Sequence, residues 1–293
     1  MRRAAWALLA LCGSYAAQAQ SPAPFAWQVR VAGAPVTHHL VGSIHLLPPS
    51  AHPLPAGLER AYAASRRLVL ESDLAALSSP AVQAQMLAAG SATSADGIAG
   101  EIPAALHARL RSRLERQSLQ ATLCDALRAW LCALTLELGA YQRAGFLPDL
   151  GIDQHFHARA RADGRAVVWL EALEQQVALF TQMPDRLGVD FLVAALDGVD
   201  DPALSPRALL EAWRKGDVAH LHAQVERLRR EHPLVYARLL AERNAAWLEP
   251  LEGWLRDGTP TLVVVGAAHL VGSDGLVAGL RERGFELRAG VSR

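Results

Sequence analysis

Two stretches decide the reading of this chain: "HHLVGSIHLLPPS" at residues 38–50 and "TLVVVGAAHLVGSDG" at residues 261–275. In each, an apolar run of strand type ends in Gly-x-x-His, placing Gly42 before His45 and Gly266 before His269. Continuous Val/Leu runs suit a sheet covered by helices on both faces. The glycines let the backbone turn sharply and come close to a ligand. The surroundings repeat as well. "HLVGSIH…GLERAYAASRRLVLE" and "LVVVGAAH…GLVAGLRERGFELRA" both read strand, Gly-x-x-His, helix, strand. An internal duplication is the expectation, and two such units packed side by side would bring their histidines to one edge of a sheet.

Outward from these stretches, "FAWQVRVAGAPVTHHLVGSIH" reads as a hairpin around a Gly-Ala-Pro turn. "RRLVLES", "RAVVWLE" and "FELRAG" read as further strands. Apolar residues at three- and four-residue spacing predict helical blocks over about 74–163 and about 172–257. The fold expected is α/β, with a mixed, largely parallel central sheet carrying two large helical insertions. Without a linker or low-complexity segment, residues 20–293 are expected to form a single domain.

The first residues, "MRRAAWALLALCGSYAAQAQSP", have the layout of a secretory signal peptide. Cleavage is expected after Ala19, giving an exported chain, periplasmic or secreted. The apolar run is shorter than the ~20 residues of a membrane span, and no later segment is long enough to cross. Leu11 before Cys12 is not the small residue of a lipoprotein signal. Lys and Arg total 29 and balance 29 Asp and Glu, which argues against nucleic acid or an anionic surface as partner. Cys124 and Cys132, placed on one straight helix, would lie about 12 Å apart along its axis, too far to bond. Export permits a disulfide there, but the spacing does not demand one.

The four most apolar predicted strands close on His45, Glu71, Glu171 and His269. In a parallel sheet all four reach the carboxyl edge, where open α/β sheets bind ligands. Two imidazoles with one or two carboxylates can hold a divalent metal and leave a position for water. A polar residue at a strand end is also commonplace, so the set carries the argument rather than any one member. His155 and His157, like His220 and His222, are two apart on predicted helices and make poor metal pairs; they are left out, though His155 could serve as a supporting group. Only one of His38 and His39 can face a site, and His52, His107 and His232 sit beside prolines or on exposed helical faces. Arg243 and Asn244 interrupt an apolar helix. Arg243 is read either as an ion-pair partner or as an oxyanion clamp.

These segments resemble the TraB/GumN family, related to the Tiki proteins. The resemblance spans nearly all of the mature chain, through "LVGSIHLLPP", "LVLESDL", "GIDQHFHARARADGRAVVWLEALEQQ", "LLAERNAAWLEPLE" and "VVVGAAHLVGSDGLVAGLRERGFEL". It implies a metal-dependent, protease-like hydrolase favouring manganese or cobalt, with zinc a further candidate. His45, Glu71 and His269 would then be metal ligands. Glu71, Glu171 and Arg243 would carry the chemistry, with Gly42, Gly266, Asp153 and Asn244 in support. Ser43 stands where many relatives have Thr, and Ala129 where they often have Pro. The competing expectations are a metal-independent esterase-like hydrolase and a non-catalytic envelope protein binding a peptide or polysaccharide.

Overall fold

The computed structural model describes residues 25–291. The signal-peptide segment 1–19 lies outside the described residues. Six strands form one sheet: β1 (Ala26–Val31), β2 (His38–Ser43), β3 (Arg67–Leu70), β4 (Ala166–Trp169), β5 (Thr261–Gly266) and β6 (Phe285–Ala289), in the order β4-β3-β5-β2-β1-β6. β4, β3, β5 and β2 run parallel, whereas β1 pairs antiparallel with β2 and with β6. The predicted α/β fold with a mixed, largely parallel sheet is the observed one. Every residue of β2 and β5 is buried, the Leu and Val of both as a covered sheet requires and, on β2, His38, His39 and Ser43 as well.

β2 and β5 are adjacent, with Ser43 opposite Gly266. From this pair the chain leaves in opposite directions: β2 leads past β5 to β3, and β5 leads past β2 and β1 to β6. Right-handed crossovers in opposite directions place their helices on opposite faces. Accordingly, the helix Ala56–Ala63 packs with the helix Ile152–Ala162, Tyr62 stacking on Phe156 at 5.4 Å. The helix Leu276–Glu282 packs on Glu242–Arg256 instead, so tightly that a Cβ on Gly279 would meet Leu248 Cδ1 at 2.5 Å. The two Gly-x-x-His units therefore share element order but are not related by a side-by-side shift. Between them lies a switch point of the kind where open sheets take their ligands.

The helical blocks supply a second apolar cluster around Trp130, Leu136, Phe191, Leu192 and Leu196. Leu228 and Leu239 pack against both this cluster and the core over the sheet. Cys124 and Cys132 lie in the second cluster and form a disulfide, with Cα atoms 5.4 Å apart. The single straight helix assumed for them does not exist. The helix Ala129–Arg143 starts after Cys124, and the Glu101 carboxylate accepts from its first backbone N–H at 3.1 Å. The turn before it folds Cys124 back. Among the described residues no helix is long and apolar enough to cross a membrane.

Both the disulfide and a buried histidine bear on stability. The cross-link constrains a short loop in the unfolded chain, so replacing both cysteines with alanine should cost about 2–3 kcal/mol in urea unfolding. An unchanged midpoint would refute this. On β2, His39 is buried with no partner for Nδ1, and burial, with His38 beside it, pushes its pKa down to about 4. Because the folded value lies below the unfolded 6.5, stability is intact above pH 6.5 and falls by about 3 kcal/mol as pH drops to 4. His39→Leu should flatten that slope relative to the parent, as measured by unfolding midpoints at pH 7 and pH 4.5.

Candidate functional site

His45 lies just past the end of β2, where the amino end of the helix Ile152–Ala162 abuts it. Ile152 N–H donates to Ile44 O, and a Cβ on Gly151 would lie 2.2 Å from His45 O. Only glycine permits that approach, which brings Asp153 in the first helical turn to the imidazole. Asp153 Oδ2 lies 2.8 Å from His45 Nδ1, while Ser43 Oγ donates to Oδ1 at 3.0 Å and accepts from Asp153 N at 3.3 Å. With Nδ1 committed to Asp153, Nε2 of the half-exposed ring faces Glu71 Oε1 at 3.9 Å. Burial opposes the charged ring. The Asp153 carboxylate, through charge and hydrogen bond, outweighs it and, with Glu71, holds His45 up to about 9.

His269 sits on the turn Ala267–Leu270 directly after β5, buried against Trp247 at a ring distance of 4.5 Å. Asn244 Nδ2 donates to Asp274 O at 2.8 Å, which turns Asn244 Oδ1 toward His269 Nδ1, 2.6 Å away. His269 therefore carries its proton on Nδ1. Its Nε2 accepts from Arg243 Nη1 at 3.1 Å and stands 3.9 Å from Glu71 Oε1. Burial pushes His269 down to about 3, so the ring is neutral. Both neighbours, Arg243 and Asn244, open the helix Glu242–Arg256 immediately after a π-helical turn, Ala237–Ala241. π turns recur at functional sites, where they re-aim the side chains of the next helical turn.

Arg243 joins the two carboxylates. Its Nη2 donates to Glu71 Oε2 and to Glu171 Oε1, each at 2.7 Å, and its Nε donates to Glu171 Oε2 at 3.1 Å. Trp247 Nε1 adds a donation to Glu171 Oε2 at 3.2 Å, and Gln176 Oε1 accepts from Nη2 at 3.0 Å. Gly266 N–H donates to Glu71 Oε1 at 2.6 Å. Burial resists the charge on Glu71, yet the Arg243 guanidinium and the His45 ring, with that N–H, hold it well below the usual carboxylate range. At Glu171 burial wins and its pKa is raised despite the guanidinium. Arg243 is thus the ion-pair partner that the sequence suggested, and its ion pairs are with the site carboxylates themselves.

Three donor atoms face one another: Nε2 of His45, Nε2 of His269 and Oε1 of Glu71. A Cβ on Gly266 would lie 3.1 Å from His45 Nε2 and 3.2 Å from Glu71 Oε1, so the glycine keeps that space open. Gly42 acts differently, letting β2 pass Ala267, whose Cβ a side chain there would meet at 3.0 Å. The donor set fits a divalent ion in kind, since each imidazole has Nδ1 anchored on an acceptor and Nε2 turned inward. Among the described residues, however, no group of three or more His, Cys, Asp or Glu is already gathered around an ion-sized point. Arg243 would have to release the His269 lone pair, and His45, held up to about 9, would have to lose its Nε2 proton.

Other histidines lie elsewhere. His155 does not support the site: its Nε2 meets Glu59 Oε1 at 2.9 Å. His157 is buried edge-on against Trp169, and His38 and His39 are both buried at the opposite end of β2. His232, beside Pro233, is buried between Asp190 and Asp197. Ser43, Gln176 and Trp247 belong to the site, although the sequence alone does not single them out. Ser43 had a signal, as it stands inside the first Gly-x-x-His.

The model of the TraB/PrgY/gumN family matches residues 25–289, which include every one of these site residues. The chain belongs to the TraB/PrgY/gumN family. Among its relatives, the uncharacterized protein YbaP of Escherichia coli (strain K12) is 24% identical over 248 residues, covering 83% of this chain and 87% of YbaP. YbaP of Shigella flexneri matches to the same extent. No solved structure matches the chain.

Arg243 is the sole cation bonded to both Glu71 and Glu171 among the described residues, so removing it strands two buried carboxylates. Arg243→Leu should lose about 3 kcal/mol of stability or more, and Arg243→Lys less, in urea unfolding at pH 7. Wild-type stability in Arg243→Leu would show that the bridge carries no weight.

Proposed function

We propose that this TraB/PrgY/gumN protein is an exported hydrolase that cleaves a peptide or amide bond with a divalent ion held by His45, Glu71 and His269. The observation carrying this reading is the convergence of two anchored imidazoles on one carboxylate oxygen at the edge of the β2/β5 switch point, each 3.9 Å away. Such an ion, when bound, supplies Lewis-acid polarisation of a carbonyl and lowers the pKa of water. Manganese or cobalt is the metal suggested by the sequence resemblance, with zinc next.

The chain's own groups divide the remaining work. Asp153 and Asn244 hold the two rings so that both Nε2 atoms face inward. Glu71, charged at neutral pH with Oε1 on the Gly266 N–H and Oε2 on Arg243, would take the proton from the attacking water only as Arg243 releases Oε2. Arg243 faces the same space and stabilises negative charge developing on the carbonyl oxygen. Glu171 has both oxygens engaged by Arg243 and Trp247, so its part is to hold Arg243 rather than to move protons. Export is supported by the signal-like residues 1–19 and by a buried disulfide, which suits an oxidising compartment.

One observation favours a second reading. Arg243 Nη1 occupies the lone pair of His269, and His45 with Asp153 forms an acid–histidine pair with a half-exposed Nε2. Those features suit a metal-independent hydrolase in which His45 is the general base once it has given up the proton that Asp153 and Glu71 favour on it. A binding protein for a peptide or polysaccharide would use the same groups without turnover. Elemental analysis of the mature protein after loading with manganese, cobalt or zinc separates them. About one ion per chain, lost in the His45→Ala/His269→Ala double variant, is the expected result. No bound ion under any loading, or an ion retained by the variant, would overturn the metal assignment.

A further inference from the structure

Beside His45 lies a cavity of about 260 Å³ whose polar end is formed by His45, Glu71 and Asp153. Leu46, Leu74, Leu77 and Pro148 are among the aliphatic residues that share its lining with Ser72, Ser78, Gln154 and Gln176. Leu74 and Leu77 are three residues apart on the short helix Leu74–Leu77, and so share one face. That helix buries none of its residues. Leu77 lines this space only partly buried, and Leu74 lines it while packing partly on the core over the sheet.

Two polar groups in the same lining have no partner. Ser72, next after Glu71 and 1% exposed, leaves Oγ unbonded, and Gln154, next after Asp153, leaves Oε1 unbonded. Buried polar atoms are ordinarily satisfied, and leaving one unpaired is costly. Each of these residues is the chain neighbour of a site carboxylate, so the backbone that sets the chemistry also sets them. Gln154 borders a second cavity, of about 630 Å³, with His52, His155 and Arg161. A bound chain has room to continue past it.

We propose that the first cavity receives a bulky aliphatic side chain of a peptide, adjacent to the bond presented to His45 and Glu71, with Ser72 and Gln154 pairing with the peptide's own amide groups. This rests on the hydrolase reading and specifies its substrate. The occupant is argued by chemistry. A peptide brings both an apolar side chain for the leucine walls and an N–H for the Gln154 oxygen. An ester lacks that N–H. A sugar would press hydroxyls against aliphatic carbon and strand them.

The test is calorimetric binding to the full mature chain, with and without manganese, of blocked pentapeptides that have leucine, glycine or aspartate between alanines. Burial of one leucine side chain sets the expected margin: the leucine peptide should bind roughly tenfold to a hundredfold more tightly than the glycine peptide. Leu77→Asp, or Leu74→Gln should the first not fold, should remove that margin. Gln154→Leu should weaken all the peptides while preserving it. Equal affinities, a margin that survives Leu77→Asp in a folded protein, or no measurable binding of any peptide would overturn the proposal. Selective binding with no cleavage under any metal would keep the pocket and defeat the hydrolase. Cleavage of a peptide library without aliphatic preference would do the reverse.

Discussion

Everything at the candidate site depends on the parallel pairing of β2 with β5. Because Ser43 lies opposite Gly266, two turns far apart in sequence emerge at the same level of one sheet edge. A slip of one residue would turn each side chain to the other face of the sheet. The register is held by close packing on both faces, where Gly42 passes Ala267 and a side chain in its place would meet the Ala267 Cβ at 3.0 Å. The turns are then pinned from opposite sides. The Ile152–Ala162 helix holds His45 through Asp153, and the Glu242–Arg256 helix holds His269 through Asn244.

This arrangement concentrates negative charge, and Arg243 is what makes it tolerable. Asp153, Glu71 and Glu171 all have little exposed side chain, and charges so placed are costly without partners. One planar guanidinium meets two carboxylates and an imidazole simultaneously, which a lysine ammonium would do poorly. Its face also lies over Trp247, with Cζ 4.6 Å from the ring centre. The site is therefore a charge network first, and whatever it binds must exchange contacts within that network.

Much of this was legible in the sequence because strand periodicity and chemistry coincided. The runs ending at His45, Glu71, Glu171 and His269 are each apolar enough to identify a strand, although the strand before Glu171 lies at the sheet edge and is not buried, and their shared edge is a consequence of parallel pairing. What resisted reading was anything set by packing between distant elements. Nothing local says that Glu101 ends up against Ala129, which is why Cys124 and Cys132 were misplaced on one helix. Ser43 could be seen in its motif, but its bond to a residue 110 positions away could not. Glu171 was found as a strand-end acid, whereas its engagement by Arg243 and Trp247 is a property of three converging elements. His155 failed for the same reason: its helix faces Glu59 on its own side of the sheet.

The π-helical turn at Ala237–Ala241 carries an implication for where the following helix points its side chains. Such a turn absorbs one surplus residue by underwinding, so the helix beyond it keeps nearly the bearing of a regular helix one residue shorter. Were all the residues present wound regularly instead, Arg243 and Asn244 would swing by up to about 100° and point away from Glu71 and His269 together. The underwound turn is therefore as much a part of the site as any side chain it delivers.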